Sequence, residues 1–329
     1  MTDASVSSVD AQMNLRFLHF LQEHTGPQYR YAISQGLAEI VNRTVPRTSD
    51  AQGDEHPLTS EGVIRMGALL TPTQCSELVS YFEDLPCFNA HVPDMSDGIR
   101  RRLGGDAECF HYGSYEPDDV IAAPYLLELS NRPDIIDIAG QHLGCAPTLY
   151  SLHAWWSFPG HGTASYSQSF HRDLDDYRFC TLFVFLTDVG PNSGAHTYIR
   201  RSHRTQLIER AIRENGPRAS QKFGRDVSVI DLYTPPTGYG KDDLYQVIFP
   251  GLAETITGPA GTGFFADTSG LHKGEPLTEG RRLMFWARYG LYRNPAVIRP
   301  STRSSALARG RIPSGPQSLY MNRCLLADG

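Results

Sequence analysis

Nothing in this chain approaches the ~20 consecutive apolar residues that a membrane-crossing helix requires, and the longest apolar stretch, around residues 180–189, is strand-like in length. The six cysteines, Cys75, Cys87, Cys109, Cys145, Cys180 and Cys324, form no C-x-x-C pair and keep no regular spacing. That excludes a disulfide framework or a four-thiolate zinc site and fits reduced thiols in a reducing compartment. Positive charge is not in excess: the formal net charge is −6, which gives no electrostatic case for nucleic acid or an anionic membrane as partner. Internal repeats and low-complexity tracts are missing. Residues 1–12 are polar, without the basic and apolar regions of a signal peptide, and the expectation is a cytoplasmic protein.

What is there is globular in composition, with 40% hydrophobic and 20% charged residues over 329 positions. Helix-like apolar spacing marks residues 15–23 and 32–41, and a Pro-, Thr- and Gly-rich loop follows over 42–58. Thr71-Pro72-Thr73-Gln74 predicts a helix start, with Thr71 as N-cap, Pro72 in the first helical position and Gln74 closing a capping box. A second helix should run through Ile135, Ile136 and Ile138 to Leu143 and stop at Gly144.

From Pro147 the texture changes to short β-branched and aromatic runs between turn residues, at 148–158, 179–187, 196–199, 245–249, 254–257, 263–266 and 282–289. Many short strands of this kind predict an antiparallel sandwich, jelly roll or barrel. We therefore expect one domain over 1–329: a helical N-terminal part (1–146), a β core (147–292) and a C-terminal tail (293–329). The polar, Gly- and Pro-punctuated insert at 205–243 reads as a mobile lid, since connections of that length inside a β-domain are usually functional.

The chemistry concentrates in Ser169-Phe170-His171-Arg172-Asp173 and, about a hundred residues on, Leu271-His272-Lys273-Gly274. An H-x-D pair alone is uninformative, because a surface His and Asp in a polar loop look the same. Context adds weight. Residues i and i+2 at a strand end project to one face, so His171 and Asp173 can address one metal. His272 follows a predicted strand that can return it to the same mouth. Two His and one carboxylate leave open positions on iron(II), as oxygenases require, and should bring their donor atoms within roughly 3–3.5 Å of one another. Ten residues past His272, Gly280-Arg281-Arg282-Leu283 opens the last strand, and a guanidinium there can pair bidentately with the far carboxylate of 2-oxoglutarate. Gln168, three residues before His171, either touches that cosubstrate or closes the turn. His196 and His203 are candidates for extra ligands, and the Arg100-Arg101-Arg102 run for an anionic substrate group.

Together His171-Arg172-Asp173-Leu174-Asp175-Asp176, Asn192-Ser193-Gly194-Ala195-His196, Arg201-Ser202-His203-Arg204 and Leu271-His272-Lys273-Gly274 resemble the phytanoyl-CoA dioxygenase-like family of iron(II)/2-oxoglutarate oxygenases. The resemblance covers about 148–289. It implies a double-stranded β-helix (jelly-roll) core, mainly β with flanking helices, packed on the helical N-terminal half. It implies His171, Asp173 and His272 as iron(II) ligands and Arg282 as the grip on 2-oxoglutarate, with Arg281 the alternative because the offset from His272 is slightly short. The implied reaction uses dioxygen to hydroxylate a C–H bond of a small-molecule metabolite, releasing succinate and CO2. Desaturation, epimerisation or ring formation would follow from different substrate placement. Retention of Asp173 disfavours halogenation, since halogenating relatives lack that carboxylate. Two other readings use the same residues: a zinc or manganese hydrolase or isomerase on a cupin-like barrel, and a non-catalytic binding protein. The first of these would not need an arginine after the last ligand.

Overall fold

The computed structural model of the chain describes residues 27–45, 56–89, 100, 102–103, 111–159, 166–224, 226–227, 242–291, 306 and 308–326. The N-terminal part carries helix α1 (Pro27–Thr44), α2 (Pro57–Glu61), strand β1 (Val63–Ala68), α3 (Pro72–Glu83), β2 (Tyr112–Ser114), α4 (Pro117–Ala122), α5 (Leu126–Ser130) and α6 (Pro133–Leu143). Then come β3 (Thr148–Ser157), a 3-10 turn (Tyr166–Gln168), β4 (Phe179–Phe185), β5 (His196–Ile199), α7 (Thr205–Phe223) and α8 (Asp242–Ile248). The chain closes with β6 (Ala253–Ile256), β7 (Thr262–Ala266), β8 (His272–Gly274), β9 (Arg282–Gly290), α9 (Pro316–Met321) and α10 (Arg323–Leu326).

The strands form two antiparallel sheets, a large one in the order β1-β7-β4-β9-β3-β2 and a small one in the order β6-β5-β8. They pack as a jelly roll across a shared core in which Phe183, Phe264, Met284 and Trp286 of the large sheet meet Tyr198 and Ile256 of the small one. The other face of the large sheet is covered by helices. Leu182, Leu283, Phe285 and Tyr289 pack there with Leu78 and Phe82 of α3, Val120 of α4, Leu126 of α5 and Ile135 and Leu143 of α6. Burial on both faces explains why β4 and β9 read as near-continuous apolar runs, without the alternation of a half-solvated sheet. Each such side chain withdrawn from water contributes on the order of 1.5–3 kcal/mol.

The helix-start signal at Thr71 is realised: Thr71 Oγ1 accepts from Gln74 N at 3.2 Å, and Gln74 Oε1 accepts from Thr71 N at 2.9 Å. Gly144 ends α6 in the left-handed region, φ 79°, with its N–H on Gly140 O.

Several expectations are corrected. The N-terminal part is not helical throughout, because β1 and β2 from it form both edges of the large sheet. Residues 245–249 are not a strand: Leu244, Tyr245 and Ile248 share one helical face of α8 and pack against Ile208 and Ala211 of α7. A five-residue apolar run does not distinguish the two periods. In the insert at 205–243 the sequence marks a helical start at 206–214, and the helix found there, α7, runs further, to Phe223, and is docked by Ile208, Ala211 and Ala219. Residues 228–241 of the insert, the predicted helix at 15–23 and Arg101 lie outside the described residues. The C-terminal tail is docked as well, with Ala308, Met321 and Leu325 in the core beneath the large sheet.

Candidate metal centre

Local pairing brings the two histidines together. His171 and His272 form a two-way antiparallel bridge, His171 N to His272 O at 2.9 Å and His272 N to His171 O at 3.0 Å, and their rings lie 4.2 Å apart. Two residues further on, Asp173 N donates to Thr268 O at 2.8 Å, which holds the carboxylate on the same face. Each imidazole places Nδ1 on a backbone carbonyl two residues back, His171 on Ser169 O at 2.9 Å and His272 on Gly270 O at 3.0 Å. Nδ1 must therefore carry the proton, and the Nε2 lone pair of both rings is left to bind a cation.

Those two Nε2 atoms flank Asp173, His171 at 3.8 Å from Oδ1 and His272 at 3.8 Å from Oδ2, and one ligand atom from each residue falls within 4.8 Å of the others. This is wider than the 3–3.5 Å expected. The carboxylate is drawn aside by Arg288, whose Nη2 donates to Asp173 Oδ2 at 3.0 Å while Nη1 holds Asp175 Oδ2. Burial works to raise the Asp173 pKa, but Arg288, then His272 and His171, outweigh it and keep it at about 2. Asp173 is thus anionic throughout the physiological range. His272 is pushed down to about 4, first by burial and then by His171, and so stays neutral and able to ligate.

The three residues line a pocket that opens to solvent. Arg282, Met284, Trp286 and Arg288 all line it too, because alternate residues of β9 face inward. Arg282 is 3% exposed; its Nη1 donates to Gly194 O and its Nη2 to Ser157 Oγ at 2.9 Å. Burial lowers its pKa to about 10, so it remains a cation at neutral pH. Gly194 (φ 83°) is required for this approach: a Cβ there would lie 2.6 Å from Leu277 Cδ1 and 3.1 Å from Arg282 Nη1. Arg281 faces the opposite way, ion-paired with Glu83 and lying over the Trp156 ring at 4.7 Å. Strand alternation therefore puts Arg282 in the pocket and Arg281 at the surface.

Among the buried pocket atoms with no hydrogen-bond partner in the described residues are Arg282 Nε, Arg288 Nε, His196 Nε2 and Trp286 Nε1. Three are N–H donors and the fourth, His196 Nε2, is a ring nitrogen that donates in one of its two tautomers; a buried donor left unmet costs about 1–3 kcal/mol. The pocket is built for an occupant rich in acceptors.

Other sequence candidates fall elsewhere. Gln168 Oε1 meets His111 Nε2 at 2.8 Å, and the neighbouring Ser167 is the one that lines the pocket. His203 turns to Thr59 O at 2.9 Å, and Arg100 pairs with Glu116. His196 lines the pocket but is outside the close donor set. Arg288 was missed by sequence reasoning, although counting inward positions along β9 from Arg282 reaches it.

No protein-family model and no curated protein matches the chain. Among solved structures it is similar to HygX from Streptomyces hygroscopicus, solved with nickel and 2-oxoglutarate bound: 17% identity over 74% of this chain and 87% of that chain, TM-score 0.46. It is also similar to SnoN, a non-heme alpha-ketoglutarate-dependent epimerase from nogalamycin biosynthesis, at 16% identity over 79% and 83%, TM-score 0.44. AviO1 from Streptomyces viridochromogenes Tue57 gives 14% identity over 74% and 96%, TM-score 0.41. Likeness at this level assigns neither chemistry nor residues.

Proposed function

We propose that the chain is an iron(II)/2-oxoglutarate-dependent oxygenase acting on a small organic molecule, with hydroxylation of a C–H bond as its reaction. The observation that carries this reading is one pocket holding a two-histidine, one-carboxylate donor set together with a buried guanidinium, Arg282, whose Nε has no partner among the described residues. The donor set fits the metal: two neutral imidazole nitrogens and one anionic oxygen suit iron(II) and leave coordination positions free. The cosubstrate fits the remainder, since a dicarboxylate supplies the acceptors that the pocket's orphaned donors lack. A zinc hydrolase would have no use for a buried arginine on the same wall. The resemblance to the phytanoyl-CoA dioxygenase-like family supports the same reading.

In this mechanism His171, Asp173 and His272 would hold iron(II), and Arg282 would hold the far carboxylate of 2-oxoglutarate. The bound metal, cosubstrate and dioxygen supply the oxidation of a substrate C–H bond, with succinate and CO2 as co-products. The chain's own residues do the rest. Ser169 O and Gly270 O fix the imidazole tautomers, and Arg288 keeps Asp173 ionised and restrained. Trp155, Trp286, Phe183 and Met284 line the cavity with apolar surface that limits water around the reacting carbon. Epimerisation or ring closure would need the same residues and a different substrate placement.

The test is anaerobic addition of iron(II) and then 2-oxoglutarate, read as a visible charge-transfer band, followed by succinate release on admitting oxygen. Absence of the band with metal bound rejects this reading in favour of a hydrolase or a binding protein.

A further inference from the structure

The pocket is enclosed between two facing walls. On the β9 wall, Arg282 marks one end and Arg288, beside Asp173, the other. Met284 and Trp286 lie between them on the same face of the strand. The facing wall is β5. The carbonyl of Gly194, just before that strand, accepts from Arg282 Nη1, and Tyr198 is in register with His272. His196 stands between those two points, opposite Gly274.

Its surroundings are fixed. The His196 ring stacks on His272 at 5.5 Å and 20° between planes, and is held between Phe183 at 5.0 Å and Phe264 at 4.9 Å. It is 3% exposed, lines the pocket, and its Nε2 has no hydrogen-bond partner among the described residues. Other buried histidine nitrogens also lack a partner among the described residues, His203 Nδ1 for one, but His203 does not line this pocket and His196 does. Nor is it a fourth ligand, because the close donor set contains His171, Asp173 and His272 alone among the described residues.

We infer that His196 is a specificity-determining cosubstrate residue, donating from Nε2 to a carboxylate oxygen of a 2-oxo dicarboxylate that spans from the metal donors to Arg282. This rests on the oxygenase reading and goes beyond it. Arg282 alone selects for a distal carboxylate; a second donor from the opposite wall fixes the length and tilt of the molecule that reaches it. His196 thereby discriminates 2-oxoglutarate from shorter 2-oxo acids, in which the oxygen lies elsewhere.

The experiment titrates the iron(II) protein anaerobically with 2-oxoglutarate, following the charge-transfer band and, separately, heat of binding. His196→Phe fills the slot between Phe183 and Phe264 and removes the donor, and His196→Gln restores one. A hydrogen bond to a charged group is worth about 1.5–3 kcal/mol, so His196→Phe should raise the 2-oxoglutarate Kd roughly 10- to 150-fold. Cobalt(II) affinity measured without cosubstrate should stay within about twofold of wild type. His196→Gln should recover most of the loss. An unchanged 2-oxoglutarate Kd in His196→Phe, or an equal loss of cobalt(II) affinity, overturns the inference and leaves the oxygenase reading standing. A wild-type protein that binds iron(II) but not 2-oxoglutarate overturns both.

Discussion

Arg288 Nη2 donates to Asp173 Oδ2 at 3.0 Å, and the same guanidinium closes on Asp175 through Nη1. One half-buried cation thus joins two carboxylates spaced i, i+2 in the sequence, only one of which faces the histidine nitrogens. The arrangement explains how a half-buried acid between two imidazoles stays ionised. It also leaves Asp173 Oδ1 as the oxygen free of the guanidinium.

Arg288→Met should therefore change the metal site without touching a ligand. With the cation gone, Asp173 and Asp175 face each other as like charges, and burial raises the Asp173 pKa toward neutrality. Supporting residues of this kind typically contribute 10- to 100-fold to metal affinity. Calorimetric titration with cobalt(II) at pH 5.5 and 7.5 should show a loss of that size, larger at the lower pH. Equal affinity at both pH values, matching wild type, would remove Arg288 from the site's chemistry.

Asp173→Ala should abolish succinate production and weaken iron(II) binding, because it deletes the one anionic donor. The fold should survive, since Asp173 is held to the neighbouring segment by its backbone N–H on Thr268 O. Far-ultraviolet circular dichroism and cobalt(II) titration together check this. Wild-type turnover in the variant would show that the carboxylate is not a ligand.

The two adjacent arginines should separate cleanly. Truncating one partner of a buried charged pair costs about 2–5 kcal/mol, which is roughly 30-fold to several thousand-fold in Kd. Arg282→Ala should raise the 2-oxoglutarate requirement by that factor, with Arg282→Lys intermediate if the charge alone matters. Arg281→Ala removes an exposed pair with Glu83, worth ~1 kcal/mol or less, and should leave the requirement unchanged. Side-by-side titrations showing the reverse order would place the cosubstrate against the outer face of β9.

Acid should destabilise the metal-free protein through His142. Burial, opposed by the hydrogen bond to Asp267, lowers its pKa from 6.5 to about 4. The unfolded chain takes up this proton below about 6.5, while the folded chain refuses it until about 4. Stability is thus complete above 6.5 and falls as the pH drops through that window, by up to ~1.4 kcal/mol per pH unit for one proton. Urea unfolding at pH 7, 6 and 5 should show the decline, and His142→Asn should make it shallower. An unaltered slope in the variant would mean that His142 does not contribute.

Much of the site was legible because its chemistry is written at short range. His171 and Asp173 are two residues apart, so one extended segment aims both, and Gly280-x-Arg282 announces its own strand. Arg288 was not legible by motif, since its meaning depends on β9 lying beside β3 and β4 in a given register. His196 was visible as a candidate ligand but not as a wall residue, for the same reason: the β5–β8 pairing decides what it faces. In the fold, β1 escaped notice because Val63–Ala68 is a short edge strand interrupted by Arg65 and Gly67. The α8 segment misled because its aromatic and β-branched residues favour a strand locally, and only packing against α7 selects the helix.

The division of labour along β9 sets how this protein can change. Even-numbered positions from 282 to 288 address the cavity, while Leu283, Phe285, Ala287 and Tyr289 hold the helices. An insertion or deletion of one residue would exchange the two sets, turning arginines into the apolar core and leucine and phenylalanine toward the metal donors. Length variation is closed to this strand. Substitution at Met284 or Trp286 reshapes the cavity wall without disturbing the helical layer, but it also alters the core shared by the two sheets. A change of cavity shape at those positions therefore needs a compensating change among the side chains packed across from them.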